Sequence, residues 1–283
     1  MLKILKTGFL SSIQDKGRFG FASKGVPISG AMDAYSADLA NAILNNAETD
    51  AVIEVTLGNC TFQFLADTTI CITGGDFTPK LNGTTIQLNK IIPIFKTDIL
   101  TFQKVNYGVR CYLAVKGGFL TDQILGSKSY YSIITNSNSI HKGDLLPYHE
   151  LREISSKIQS SIKINKNHYK ETEIACYKGP EFHSLDDEQK KFLLETTFTI
   201  SKDNSRMGYK LNELLVNELP QLLTSSVFPG TVQLTKSGTL IVLMRDCQTT
   251  GGYPRILQLT EQAINQLAQK TSSDSFKFKV KLI

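Results

Sequence analysis

A chain of 283 residues, 41% of them hydrophobic, can bury one large or two moderate cores and is too apolar for a disordered segment. Its net charge of +5, from 31 basic against 26 acidic residues, is spread along the chain, without the concentrated basic stripe of a nucleic-acid surface. No apolar run approaches the ~18 residues of a membrane span, and five scattered cysteines without a CxxC pair suggest neither a zinc cage nor a disulfide framework.

Lys3 and Lys6 interrupt the first residues too early for a signal-peptide core, so the cytoplasm is the expected compartment. Short apolar runs, many rich in Val, Ile, Thr, Tyr and Phe, predict strands at 51–57, 69–73, 85–88, 109–115, 162–164, 197–200, 231–234 and 239–244. Helical periodicity is confined to three places. The first, 34–44, follows Asp33, carries Leu39, Ile43 and Leu44 on one stripe, and stops at Asn45 and Asn46. The second, 186–195, starts at Asp186 as its cap; the third, 261–269, follows Thr260. This is the pattern of an α+β, mainly β protein, with run spacing suited to barrels or sandwiches. The polar stretch 150–172 separates two glycine-rich halves, which gives domains at 1–155 and 156–283.

The motifs lie in glycine-rich polar turns. Residues 12–20 read SIQDKGRFG, where Asp15 and Arg18 flank a glycine able to turn tightly. They either tie down a loop or face a ligand. Asp33, closing GVPISGAMD at 25–33, is either a carboxylate at a helix start or a ligand group. A strand carries Arg110 to Lys116, next to Gly117 and Gly118. The GSKS turn at 126–129 fails the phosphate-loop test, since Ser127 rather than glycine precedes Lys128. An anion-binding turn using backbone amides and Lys128 remains open.

The densest signal is DCQTTGGYP at 246–254, with Asp246, Gln248, Thr250, Gly251, Gly252 and Tyr253 following a strand. It is either a tight turn with internal hydrogen bonds or, as the composition favours, the wall of a polar pocket. Arg206 in SRMG and Gln233 in GTVQL supply further polar groups. Cys247 reads as structural, since the neighbouring Asp246 offers its thiolate no stabilisation. No GxSxG elbow or metal-ligand spacing occurs, and no metal is expected.

Taken in order, SIQDKGRFG, GVPISGAMD, IEVTLG, TGGD, RCYLAVKGGF, GSKS, GPEF, SRMG, GTVQL and DCQTTGGYP resemble the allophanate hydrolase subunit 2 family, from about residue 10 to at least 270. That family includes the C subunit of 5-oxoprolinase, together with KipA-type proteins, and forms the carboxyltransferase module of urea carboxylase. The resemblance implies two cyclophilin-like β-barrel domains with a few short helices and a cleft between them. It also implies partners, the KipI-like B and LamB/YcsF-like A subunits of 5-oxoprolinase. The three proteins together open the lactam of 5-oxoproline to glutamate with ATP. On that reading Asp246, Arg110 and Asp15 are the catalytic candidates. Arg18, Lys116, Lys128, Arg206, Gln233, Gln248, Thr250, Gly251, Gly252 and Tyr253 would bind substrate. ATP would be a co-substrate of the complex, with no Walker motif in this chain. Two alternatives stand beside it: a biotin-dependent carboxyltransferase acting on urea or a related amide, and a KipA-like regulator of a KipI-like kinase inhibitor. Alanine at Asp246 or Arg110 is expected to abolish activity and leave the fold intact.

Overall fold

The computed structural model describes residues 1–151 and 167–281. They separate into two compact units. One takes Met1–Arg18 and the residues from Ser29 to 151; the other takes Phe19–Ile28 and the residues from 167 to 281. The strand expected at 162–164 lies outside the described residues.

The first unit runs β1 (Leu2–Lys6), β2 (Leu10–Gln14), α1 (Ala34–Ile43), β3 (Val52–Thr56), β4 (Thr61–Phe64), β5 (Thr68–Asp76), β6 (Lys80–Leu81), β7 (Thr84–Thr85), β8 (Ile92–Ile94), β9 (Ile99–Thr101), β10 (Tyr107–Val115) and β11 (Leu145–Leu146). These strands form a six-stranded sheet, β11-β1-β4-β9-β6-β7, and a five-stranded sheet, β2-β3-β10-β5-β8. The period of two along each strand explains how they meet. Ile53 and Val55 of β3, with Cys111 and Leu113 of β10, pack in one core with Leu2, Ile4, Phe62 and Phe64 of the other sheet. Val52, Tyr112 and Ala114 point the other way, against Ala37, Ala40 and Ile43 of α1. The five-stranded sheet is therefore buried on both faces, which is why β3 and β10 read as near-continuous apolar runs. Any polar side chain on these strands has to find its partner inside the protein.

The second unit runs α2 (Asn167–Lys170), β12 (Glu173–Lys178), α3 (Asp187–Glu195), β13 (Phe198–Asn204), β14 (Gly208–Leu214), β15 (Ser225–Ser226), β16 (Thr231–Leu234), β17 (Thr239–Leu243), β18 (Thr250–Gly251), β19 (Arg255–Leu259), α4 (Glu261–Leu267) and β20 (Ser275–Val280). Seven strands close a barrel in the order β12-β19-β16-β17-β14-β13-β20, and β15 pairs with β18 as a separate ribbon. The closing strand β20 runs parallel to β12 and antiparallel to β13. Phe198, Phe276 and Phe278 pack across that seam, with ring centroids 5.2–6.5 Å apart.

The three predicted helices form, each with the expected cap. Asp33 accepts from Ser36 N, Asp186 closes a reciprocal capping box with Gln189, and Thr260 accepts from Ala263 N. The strand expected at 85–88 shrinks to Thr84–Thr85. There the chain is an exposed two-residue hairpin arm turning at Asn82 and Gly83, both with positive φ. Among the described residues no helix is long and apolar enough to cross a membrane.

Candidate functional site

In the first unit the polar machinery converges on three consecutive backbone amides. Ala31 N donates to the Asp15 carbonyl (3.0 Å), Met32 N to Glu54 Oε2 (2.8 Å) and Asp33 N to the Tyr112 hydroxyl (2.8 Å). Tyr112 in turn donates to Glu54 Oε2 at 2.9 Å, and Arg110 Nε lies 3.7 Å from Glu54 Oε1. Glu54, Arg110 and Tyr112 share the sheet face under α1, all 5% exposed or less. Burial first, then Glu54 and Asp33, pushes the Tyr112 phenol well above its ordinary range, so it serves as a neutral hydrogen-bonding group. Asp33 also accepts from Ser36 N and Oγ, which gives it the role of helix cap.

Asp15 is the second anchor. Its carboxylate accepts from Gly17 N (2.8 Å), Ser127 Oγ (2.5 Å), Ser129 Oγ (2.6 Å) and Lys128 N (2.6 Å). Arg18, 1% exposed, donates to the Ser129 carbonyl. Gly30 adopts φ +87°, and a Cβ there would lie 3.0 Å from the Asp15 carbonyl oxygen, so the two motifs GVPISGAMD and SIQDKGRFG fit only with glycine at that position. Three amides of the GSKS turn are committed inward. Ser127 N donates to the Ile124 carbonyl, Lys128 N to Asp15 and Ser129 N to Ser127 Oγ. Lys128 Nζ reaches the Phe119 carbonyl at 3.0 Å. An incoming phosphate would compete at the Lys128 amide with a carboxylate already bound. Lys116 Nζ sits on the carbonyls of Leu44 (2.9 Å) and Asn45 (2.8 Å), a cation at the C-terminus of α1.

In the second unit Arg206 and Asp246 form a two-toothed pair, Nε–Oδ2 2.8 Å and Nη2–Oδ1 3.1 Å, with each side chain about one-tenth exposed. Asp246 N also donates to the Arg206 carbonyl (2.8 Å), so SRMG and DCQTTGGYP are clamped at both backbone and side chain. Beyond the clamp, Thr250 and Gly251 pair with β15, while Gln248, Thr250 and Tyr253 are exposed. Gln233 is buried beneath them. Its Oε1 lies 3.4 Å from Gln248 Nε2, and its Nε2 would touch a Cβ on Gly251 at 2.5 Å, so Gly251 leaves room for that carboxamide. Gly252 is held through its carbonyl by Leu222 N (2.8 Å).

Alanine at Asp246 or Arg110 can no longer be expected to spare the fold. Each removes one member of a buried or nearly buried charge pair.

Cys247 belongs to a small core with Val227 and Leu243, and burial pushes its thiol up to about 12. The same cause puts Cys60, Cys71 and Cys176 at about 12 and raises Cys111. All five thiols are free and buried. At pH 8 the native protein should react with a disulfide reagent at none of them within minutes, and the urea-unfolded protein at all five. One fast thiol in the native state would contradict that burial. Among the described residues no group of three or more His, Cys, Asp or Glu side chains is placed to hold a metal.

A sequence profile described as the carboxyltransferase domain, subdomain A and B, matches residues 24–280. The chain belongs to this family. This carboxyltransferase-domain chain is 31% identical over 275 residues to the C subunit of 5-oxoprolinase from Escherichia coli (strain K12), covering 95% of itself and 87% of that protein. It is 32% identical over 271 residues to the urea amidolyase of Saccharomyces cerevisiae (strain ATCC 204508 / S288c), covering 90% of itself but 14% of the larger protein. Among solved structures, TTHA0988 superimposes with a TM-score of 0.88 at 26% identity over 98% of this chain. That alignment spans 55% of the TTHA0988 chain. The urea amidolyase of K. lactis, at 24% identity and a TM-score of 0.84, covers 98% of this chain, spans 18% of its own and shares the fold.

Sequence reasoning passed over Glu54 and Tyr112, which organise the first unit's cluster. A signal was available: a carboxylate inside the apolar run 51–57 has to be paired once both faces of the strand are covered. It also missed the Glu181–Arg255 pair, Nη2–Oε1 2.9 Å and Nε–Oε2 3.0 Å. The side-chain hydrogen bond from Arg255 holds the Glu181 carboxyl below its usual range. Glu181 lies in the GPEF motif, whose acidic residue gives no local hint of a partner 74 positions away.

Proposed function

We propose that this carboxyltransferase-domain chain is the C subunit of an ATP-dependent 5-oxoprolinase, acting with a KipI-like B partner and a LamB/YcsF-like A partner. The observation that carries this reading is end-to-end correspondence with the C subunit of the Escherichia coli 5-oxoprolinase, 95% of one chain against 87% of the other. Against urea amidolyase the same residues amount to a small part of a much longer protein. A five-membered lactam is a weakly electrophilic amide, and opening it needs hydrogen bonds to its carbonyl and N–H together with an energy source. Gln248, Thr250 and Tyr253 offer exposed amide and hydroxyl groups for the first task, with Gln248 in contact with the buried Gln233 carboxamide. ATP belongs to the complex in this reading, since the Lys128 amide of the GSKS turn is spent on Asp15.

The test is release of glutamate and ADP from 5-oxoproline and ATP by this chain with its A and B partners, and with each omitted. Turnover that needs all three supports the assignment; a verified complex of all three proteins that stays silent removes it. The family profile favours a second reading, a biotin-dependent carboxyltransferase for urea or a related amide. Transfer of carboxylate from a biotinylated carrier to urea, measured on the same preparation, decides for it.

A further inference from the structure

The GPEF motif at 179–182 takes no part in the chemistry above, yet the second unit folds it tightly onto β19. Gly179 N donates to the Ile256 carbonyl (2.9 Å) and Glu181 N to the Arg255 carbonyl (3.2 Å). A Cβ on Gly179 would lie 2.2 Å from the Arg255 carbonyl oxygen, so only glycine lets the turn come this close. The Glu181 carboxylate then meets Arg255 at three atoms. Its Oε2 accepts from the backbone N (2.8 Å) and from Nε (3.0 Å), and its Oε1 accepts from Nη2 (2.9 Å).

With Nε and Nη2 taken, Arg255 Nη1 donates to the Ser226 carbonyl at 3.1 Å. Ser226 stands opposite Thr250 in the β15–β18 ribbon, and Ser225 opposite Gly251. The ribbon needs such a tie. Each of its strands is two residues long and lies outside the barrel sheet, and so short a pair is marginal in water by itself. Leu222 N donates to the Gly252 carbonyl (2.8 Å), Val227 N to the Thr249 carbonyl (3.1 Å) and Ser225 Oγ to the Gly251 carbonyl (3.2 Å). These bonds fix the two arms to each other. The contacts from Glu181 through Arg255 to Ser226 tie them to the barrel, since Arg255 opens β19 and Glu181 lies shortly after β12.

We propose that Glu181 and Arg255 are positioning residues for the polar wall 248–253, holding the ribbon so that Gln248, Thr250 and Tyr253 meet a substrate in one fixed arrangement. A planar guanidinium grips a carboxylate with two donors and keeps another for a carbonyl, a geometry that a lysine ammonium does not fix. The hydrogen bond from Arg255 holds the Glu181 carboxyl below its usual range, so the grip is charged at neutral pH. The inference rests on the reading of 248–253 as the wall that binds 5-oxoproline, and its test has one arm that does not.

That arm is amide hydrogen exchange on the full-length chain. Glu181→Gln and Arg255→Lys should each quicken exchange at Leu222 and Val227 about tenfold and leave β16 and β17 unchanged. The other arm is turnover by the chain with its A and B partners. Each variant should raise the KM for 5-oxoproline about tenfold and leave the KM for ATP within about twofold of wild type. Ribbon exchange at the wild-type rate in both variants overturns the proposal. So does faster exchange throughout the barrel, or a lost kcat with the KM for 5-oxoproline unmoved. If the wild-type complex opens no 5-oxoproline, the substrate reading falls, and the exchange arm alone decides the anchoring.

Discussion

Replacing Glu54 with alanine is expected to destabilise the first unit by about 3–5 kcal/mol, since it takes the carboxylate from beside a buried guanidinium. The change also strips acceptors from Met32 N and the Tyr112 hydroxyl, both inside the protein. At a urea slope of roughly 2 kcal/mol per molar, that loss moves the unfolding midpoint down by about 2 M. Glu54→Gln keeps an oxygen for Met32 N and Tyr112 and should fall between alanine and wild type. Tyr112→Phe, which keeps the ring and loses the bridge from Glu54 to Asp33 N, should cost about 1–3 kcal/mol. A Glu54→Ala midpoint within about 0.3 M of wild type would mean that the Glu54–Arg110 contact carries no net stability.

Asp246→Ala is expected to cost about 3 kcal/mol in the second unit and, on the proposed function, to silence 5-oxoproline turnover by the chain with its proposed A and B partners. The two losses have to be separated, because a collapsed clamp would explain both. The double variant Arg206→Met with Asp246→Leu does so. Replacing a charge pair by apolar groups of similar volume is often close to neutral for stability, whereas removing one partner is not. The double variant should therefore unfold near the wild-type midpoint while each single variant unfolds early, a coupling readable from a mutant cycle. If the stable double variant also opens 5-oxoproline at the wild-type rate, the pair is scaffold and the catalytic reading of Asp246 falls.

Local sequence carried the elements whose determinants are local. Asp33, Asp186 and Thr260 each sit one residue before a helix, and β16 occupies the expected 231–234 after Gly230. The polar turns were legible as turns, but their chemistry was not. Beyond Gly17 N, Asp15 finds its partners 112 to 114 positions away, and no spacing rule near Asp15 points to Ser127 or Ser129. Arg18 and Lys116, which read as ligand groups, each donate to a carbonyl of a distant segment, Ser129 and Leu44. The residues that escaped notice were of the opposite kind. Glu54 hides in an apolar strand, and its importance appears only when α1 covers the face it shares with Arg110 and Tyr112.

The parallel seam between β12 and β20 bears on how the second unit comes into being. Its first barrel strand waits for its last, about a hundred residues later, and until then β12 and β13 each present an open edge. A nascent chain leaving the ribosome holds those edges exposed through most of the unit's synthesis. Loss of β20 would leave the same edges open permanently, together with Phe198 stripped of its two aromatic neighbours on that strand. Shortened chains ending before Ser275 should accumulate as aggregates, however well the first unit folds.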